Sequence, residues 1–166
     1  MKTYCFSGPI RSAKTTRLAV WAASQPHAAG LLMPDAPEGR LFRDVATGVE
    51  WPTAASVEDD NPLAIGRFSF SRAAFAQAET TLLAAAANPA TRWLLVDEVG
   101  PLELRGAGLA PALRQVLETA PAAGFDVVLV VREGLRAAVA EAFDISEFLV
   151  FDFPASAAPR AATRAA

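Results

Sequence analysis

The chain has 166 residues, 52% hydrophobic and 20% charged, which suffices for one α/β domain with its own core and falls short of two domains of ordinary size. A formal net charge of -3 excludes the global positive field that holds nucleic-acid phosphates or an anionic membrane surface, so neither partner is expected. A single cysteine, Cys5, excludes an intrachain disulfide and any zinc site built from several thiolates.

The opening MKTYCFSGP lacks the longer apolar stretch and small-residue cleavage site of a secretory signal. Nowhere do about eighteen uncharged apolar residues follow one another, and a soluble, cytoplasmic protein is expected. Thr3 to Phe6 is a short apolar segment, Ser7 to Ala13 is turn-like, and Lys14 to about Ser24 has a helical pattern. Gly30 to Met33 predicts another strand, and Leu41–Val45 with Val49–Trp51 predict a β-hairpin around Ala46, Thr47 and Gly48. Pro52 to Pro62 is polar and acidic and predicts a solvated loop. Ser71 to Ala87 has the length and propensity of a helix, with Ser71 as N-cap and Asn88-Pro89 ending it.

The second half alternates. Trp93–Val96 reads as a strand buried on both faces, Leu109–Ala120 as a helix and Asp126–Val131 as a second fully apolar strand. Leu135–Phe143 reads as a helix and Glu147–Phe153 as a last strand. Such alternation predicts a mainly parallel sheet with right-handed helical crossovers covering both faces, a three-layer α/β fold. One domain is expected over residues 1–153, and a disordered tail over 154–166.

Gly8-Pro9-Ile10-Arg11-Ser12-Ala13-Lys14-Thr15-Thr16 nearly fits GxxxxGK[ST]. It stands between a strand and a helix, the context in which that loop wraps backbone N–H groups around phosphates. Lys14 would then meet the β- and γ-phosphate oxygens and Thr15 would offer its hydroxyl to magnesium. Ala13 replaces the second glycine, where positive φ is often required and a Cβ costs roughly 1–2 kcal/mol. An ordinary strand-to-helix turn with a solvated lysine is the simpler alternative for this segment alone.

Trp-Leu-Leu-Val-Asp97-Glu98 delivers two carboxylates at the C-terminal end of a hydrophobic strand, where ligands bind in open α/β sheets. Asp97 suits a water-mediated magnesium contact, and Glu98 suits orienting or deprotonating an attacking water; a charged strand end that simply meets solvent is the bland alternative. Val127 to Val131 would neighbour the phosphate-loop strand, pointing Arg132 at the γ-phosphate region. Arg67 and Arg72 flank the segment before the long helix, where one could supply charge to a transition state or simply be a surface arginine. The sole histidine, His27, has no partner set for a transition metal and receives no role.

FSGPIRSAKTT, RLFRDVATG, IGRFSFSRAAF and above all LLVDEVGPLEL together resemble the nucleoside-triphosphatase family that includes the cancer-related nucleoside triphosphatase, over about Lys2 to Phe153. Most specific is Asp97-Glu-Val-Gly-Pro-Leu-Glu-Leu104, which follows that family's metal-binding aspartate with a glutamate, a glycine and a second acidic residue. The resemblance implies a P-loop fold of the additional-strand, catalytic-glutamate type with magnesium-dependent hydrolysis of several nucleoside triphosphates, ATP and GTP included, and loose base selectivity. Its matched residues are Gly8, Lys14, Thr15, Asp97 and Glu98. Glu103 also falls on the pattern, as a residue of undefined role or a brace for the loop after Gly100, and Ala13 is the departure.

Two other readings share these residues. A nucleoside or small-molecule kinase would use a similar loop with an acceptor hydroxyl in place of water, although the zinc-binding cysteines of thymidine kinases are missing. A nucleotide-binding switch with little turnover would be compatible with Ala13. Its bound state would alter the hairpin surface for a protein partner, whose identity the sequence does not give.

Overall fold

The computed structural model describes residues 1–9, 12–37, 39–56, 61–66 and 68–151. Ile10, Arg11, Arg67 and the expected tail at 154–166 lie outside the described residues. The elements are β1 (Thr3–Gly8), α1 (Lys14–Ser24), β2 (Ala28–Leu32), β3 (Asp35–Ala36), β4 (Gly39–Asp44), β5 (Glu50–Pro52), β6 (Leu63–Ile65) and β7 (Phe68–Phe70). Then come α2 (Arg72–Ala87), β8 (Trp93–Val99), α3 (Pro101–Leu104), α4 (Ala110–Ala123), β9 (Asp126–Arg132), α5 (Arg136–Ala142) and β10 (Leu149–Val150).

The main sheet runs β10-β1-β9-β8-β2-β4-β3, with β5 also on β4. β10, β1, β9, β8 and β2 are mutually parallel, and the β4 arm joins them antiparallel. β9 therefore separates β1 from β8, the additional strand expected between the loop strand and the carboxylate strand. Gly30 permits the close approach of β2 to β8, since a Cβ there would stand 2.2 Å from the Leu95 carbonyl oxygen.

Strand alternation divides the core into two layers. Leu94, Val96, Val127, Leu129 and Val131 face a cluster with α2, α4 and α5, whereas Leu95, Val128 and Val130 face one with Leu18, Trp21 and Ala22 of α1. Each fully buried Leu or Val contributes roughly 1.5–3 kcal/mol through loss of apolar surface from water, which is why Leu94–Val96 of β8 and Val127–Val131 of β9 are uninterrupted apolar runs. Helix faces follow the same logic. Leu18, Trp21 and Ala22 line one face of α1 at helical spacing, as do Ala74, Phe75, Ala78 and Leu82 on α2. Ser71 caps α2 by accepting the Ala74 N–H.

The expected hairpin is present, with Phe42 opposite Trp51. Three expectations need correction. The segment after Pro52 is more than a solvated loop: Thr53 is buried, Ala54 bridges Phe70, and Leu63 opens a β6–β7 ribbon. β8 runs on past Val96 to carry both acids within the strand, through an irregularity between Val96 and Val99. The last strand is confined, among the described residues, to Leu149–Val150, because Phe148 is buried in the α5-side core and its carbonyl accepts from Arg136 Nη2 at 3.0 Å. No helix among the described residues is long and apolar enough to cross a membrane.

Candidate active site at the end of the parallel strands

β1 ends at Gly8 beside Arg132 of β9 and passes into the loop preceding α1. Lys14 folds back across this loop, its Nζ donating to the carbonyls of Gly8 (3.0 Å) and Pro9 (2.6 Å) and to Ser12 Oγ (3.3 Å). The ammonium thus rests against the two backbone carbonyls at the end of β1. A Cβ on Gly8 would stand 3.5 Å from Ser12 Oγ and 3.8 Å from Lys14 Cδ, filling space beside the lysine.

Ala13 is the N-cap of α1 and has φ 56, ψ 30. The left-handed conformation expected of a glycine here is therefore adopted by an alanine. Its methyl cannot cap, and no side chain caps this helix start, so the first-turn N–H groups and the helix dipole point toward whatever anion enters the loop. Thr16 lies exposed in the same turn.

Thr15 turns the other way. Its Oγ1 donates to Asp97 Oδ2 at 2.7 Å, and the Met33 N–H donates to the same oxygen at 3.0 Å. Asp97 Oδ1 accepts the Glu98 N–H at 2.9 Å. Asp97 is 2% exposed, and burial pushes its carboxyl up to about 6 while the Thr15 and backbone hydrogen bonds hold it down. An all-oxygen pair of this kind, a hydroxyl beside a carboxylate at a phosphate loop, fits a hard cation such as magnesium.

Glu98 has φ 60, a left-handed conformation that turns its side chain off the regular pleat. Its Oε2 lies 3.0 Å from Arg40 Nη1 and 3.9 Å from Arg132 Nη2. Glu103 is buried and does not join the site. Its Oε2 accepts the Gly100 N–H (2.9 Å) and its Oε1 the Leu109 N–H (3.2 Å), bracing the turn from β8 into α3. Burial raises its pKa against these hydrogen bonds.

The structure thus gathers Gly8, Pro9, Ser12, Ala13, Lys14 and Thr15 at one loop and links them through Thr15 to Asp97 and Glu98, with Arg132 alongside. Arg72 is engaged elsewhere, its Nε donating to the Asn61 carbonyl at 2.6 Å. Sequence reasoning missed Arg40. It opens the RLFRDVATG segment, but nothing local marks it.

No protein-family model matches the sequence, and no curated protein matches it. Two solved structures do resemble the fold. One is a human cancer-related nucleoside triphosphatase in solution, with 21% identity, TM-score 0.67, and 93% of this chain and 90% of that one covered. The other is the crystal structure of THEP1 from the hyperthermophile Aquifex aeolicus, with 14% identity, TM-score 0.67, and 93% and 91% covered. The expected mainly parallel three-layer architecture, with an additional strand between β1 and β8, is the one this chain has, and it shares that fold with both proteins.

Proposed function

We propose that the chain is a magnesium-dependent nucleoside-triphosphatase, a hydrolase of the β–γ phosphoanhydride bond. The observation that carries the reading is the 2.7 Å bond from Thr15 at the phosphate loop to Asp97, with Glu98 as the next residue. That one of the proteins sharing the fold is a nucleoside triphosphatase supports it. Loose base selectivity, with ATP, GTP or related nucleotides as substrates, a domain spanning residues 1–153 and a cytoplasmic setting complete the proposal.

Each residue has a task set by its place. Gly8 to Thr16, with Ile10 and Arg11, form the cradle, and the α1 N–H groups face the phosphates. Lys14 brings its ammonium to the β- and γ-phosphate oxygens, giving up its carbonyl contacts. Magnesium, held by Thr15 and through water by Asp97, would neutralise phosphate charge there. Glu98 orients water and takes its proton as the oxygen bonds to the γ-phosphorus; the bridging oxygen leaves with the nucleoside diphosphate. Arg132 adds positive charge near the transferring group, a task for which Arg67 is the other proposed candidate.

Phosphate release from ATP and GTP with and without magnesium, from the wild type, Lys14→Ala and Glu98→Gln prepared identically, tests the reading. Magnesium-dependent release lost in both variants is expected. Equal release from all three would assign the activity to a contaminant and sink it.

A further inference from the structure

Glu98 does not stand alone above the loop. β2 follows β8 through Leu31 opposite Val96, and Met33 reaches Asp97; the chain then continues into β3, which pairs with the start of β4 through Asp35 opposite Arg40. The β3–β4 arm consequently reaches past the C-terminal edge of the parallel strands, the edge where β1 delivers the loop and β8 delivers its two acids. Arg40 is held there at both ends. Its carbonyl accepts the N–H and Oγ1 of Thr53, each at 3.0 Å. Its Nε meets Asp35 Oδ1 at 3.3 Å, which leaves Nη1 directed at Glu98 Oε2, 3.0 Å away. A guanidinium braced in this way presents a fixed donor geometry that an ammonium does not.

The backbone at Glu98 explains why such a brace matters. With φ 60, Glu98 leaves the pleat of β8, so strand geometry no longer fixes where its carboxylate points. Two guanidinium groups meet that carboxylate, Arg40 at 3.0 Å and Arg132 at 3.9 Å, and Arg40 is the nearer. Burial works against the charge on Arg40, but Glu98, Asp35 and Asp97 more than offset it, and its pKa is raised.

We propose that Arg40 is the positioning residue of Glu98, holding the carboxylate where it meets the attacking water. The proposal rests on the hydrolysis reading above. It gives the β-hairpin arm a part in turnover, since the arm carries the side chain that aims the base.

Steady-state phosphate release and binding of a fluorescent ATP analogue, measured on the full chain, test it. Arg40→Ala is expected to lower kcat about ten- to a hundredfold, the effect of a catalytic group misplaced by about an ångström, with KM and Kd within about twofold of wild type. Arg40→Lys recovers part of the loss, and Asp35→Asn loses less than Arg40→Ala. An unchanged or raised kcat in Arg40→Ala overturns the proposal. So does a KM that rises as kcat stays level. If circular dichroism shows Arg40→Ala unfolded, Arg40→Lys and Asp35→Asn decide it, and wild-type kcat in both overturns it. A wild type that binds the analogue but releases no phosphate overturns the hydrolysis reading and this proposal together; one that turns over normally with Arg40→Ala at full rate overturns this proposal alone.

Discussion

Thr15 Oγ1 donates to Asp97 Oδ2 at 2.7 Å across a sequence separation of 82 residues. The bond joins the first turn of α1 to the end of β8, two elements whose strands are kept apart by β9. It sets the distance between the loop that cradles phosphate and the strand that carries the acids. In the proposed function both partners also hold magnesium, Asp97 through water, so a single hydroxyl would serve folding and metal binding.

Thr15→Ala and Thr15→Ser separate those tasks. The serine keeps the hydroxyl and should keep magnesium-dependent nucleotide binding within a few-fold of wild type. The alanine leaves the buried Asp97 carboxylate short of a donor, which costs about 1–3 kcal/mol, and removes a metal ligand. Isothermal titration with and without magnesium should find affinity enhancement by the metal in Thr15→Ser and little or none in Thr15→Ala. Equal enhancement in both variants would show that the hydroxyl takes no part.

Asp97 also gives a pH prediction. Its folded pKa of about 6 lies above the ordinary 3.8, so between these values the folded protein binds more protons than the unfolded chain. Stability contributed by this group is therefore full below about 4 and is lost as pH rises through about 6, a fall of about 3 kcal/mol. In chelator-treated protein, the Asp97 side-chain carboxyl resonance should titrate with a midpoint near 6. A midpoint near 4 would mean that the hydrogen bonds from Thr15, Met33 and Glu98 offset burial in full.

The features legible in the sequence are those whose physics is local. The apolar runs Trp93–Val96 and Val127–Val131, the strand–loop–helix around Lys14, the Ser71 cap and the acid pair that follows Val96 are each legible in a run of neighbouring residues. β3, β6 and β7 are too short to show a period, and their partners lie in other segments. Arg40 was illegible for the same reason: an isolated arginine in a strand carries no pattern, and its role arises only when the β4 arm brings it to Glu98. Glu103 shows the converse. Its place in the acidic pattern left an undefined role and bracing equally open, and burial with two backbone N–H groups decides for bracing.

Glu103 accordingly yields a stability prediction. Its two oxygens satisfy Gly100 and Leu109, and a Cβ on Gly108 would lie 2.4 Å from Oε1, so the carboxylate is closely enclosed. Glu103→Ala strands two buried donors at a cost of about 2–3 kcal/mol, lowering Tm by roughly 4–12 °C for a chain of this size. Thermal unfolding followed by circular dichroism measures it, and a shift below about 1 °C would show that water takes over both N–H groups.

Two residues at the site are held in the left-handed region without being glycine, Ala13 at φ 56 and Glu98 at φ 60, and glycine substitution should expose a different reason for each. At either position it removes roughly 1–2 kcal/mol of steric cost, offset by about 0.4–1 kcal/mol from the freer unfolded chain. Ala13→Gly should raise Tm by about 1–4 °C and leave phosphate release at least as fast, because the alanine methyl makes no cap and takes no proposed chemical part. Glu98→Gly should gain comparable stability yet lose turnover, while Glu98→Gln keeps the left-handed side chain and loses turnover without that gain. Strain at position 98 would then be retained for its carboxylate. A lower Tm in Glu98→Gly would instead mean that the contacts with Arg40 and Arg132 stabilise the fold by more than the backbone strain costs.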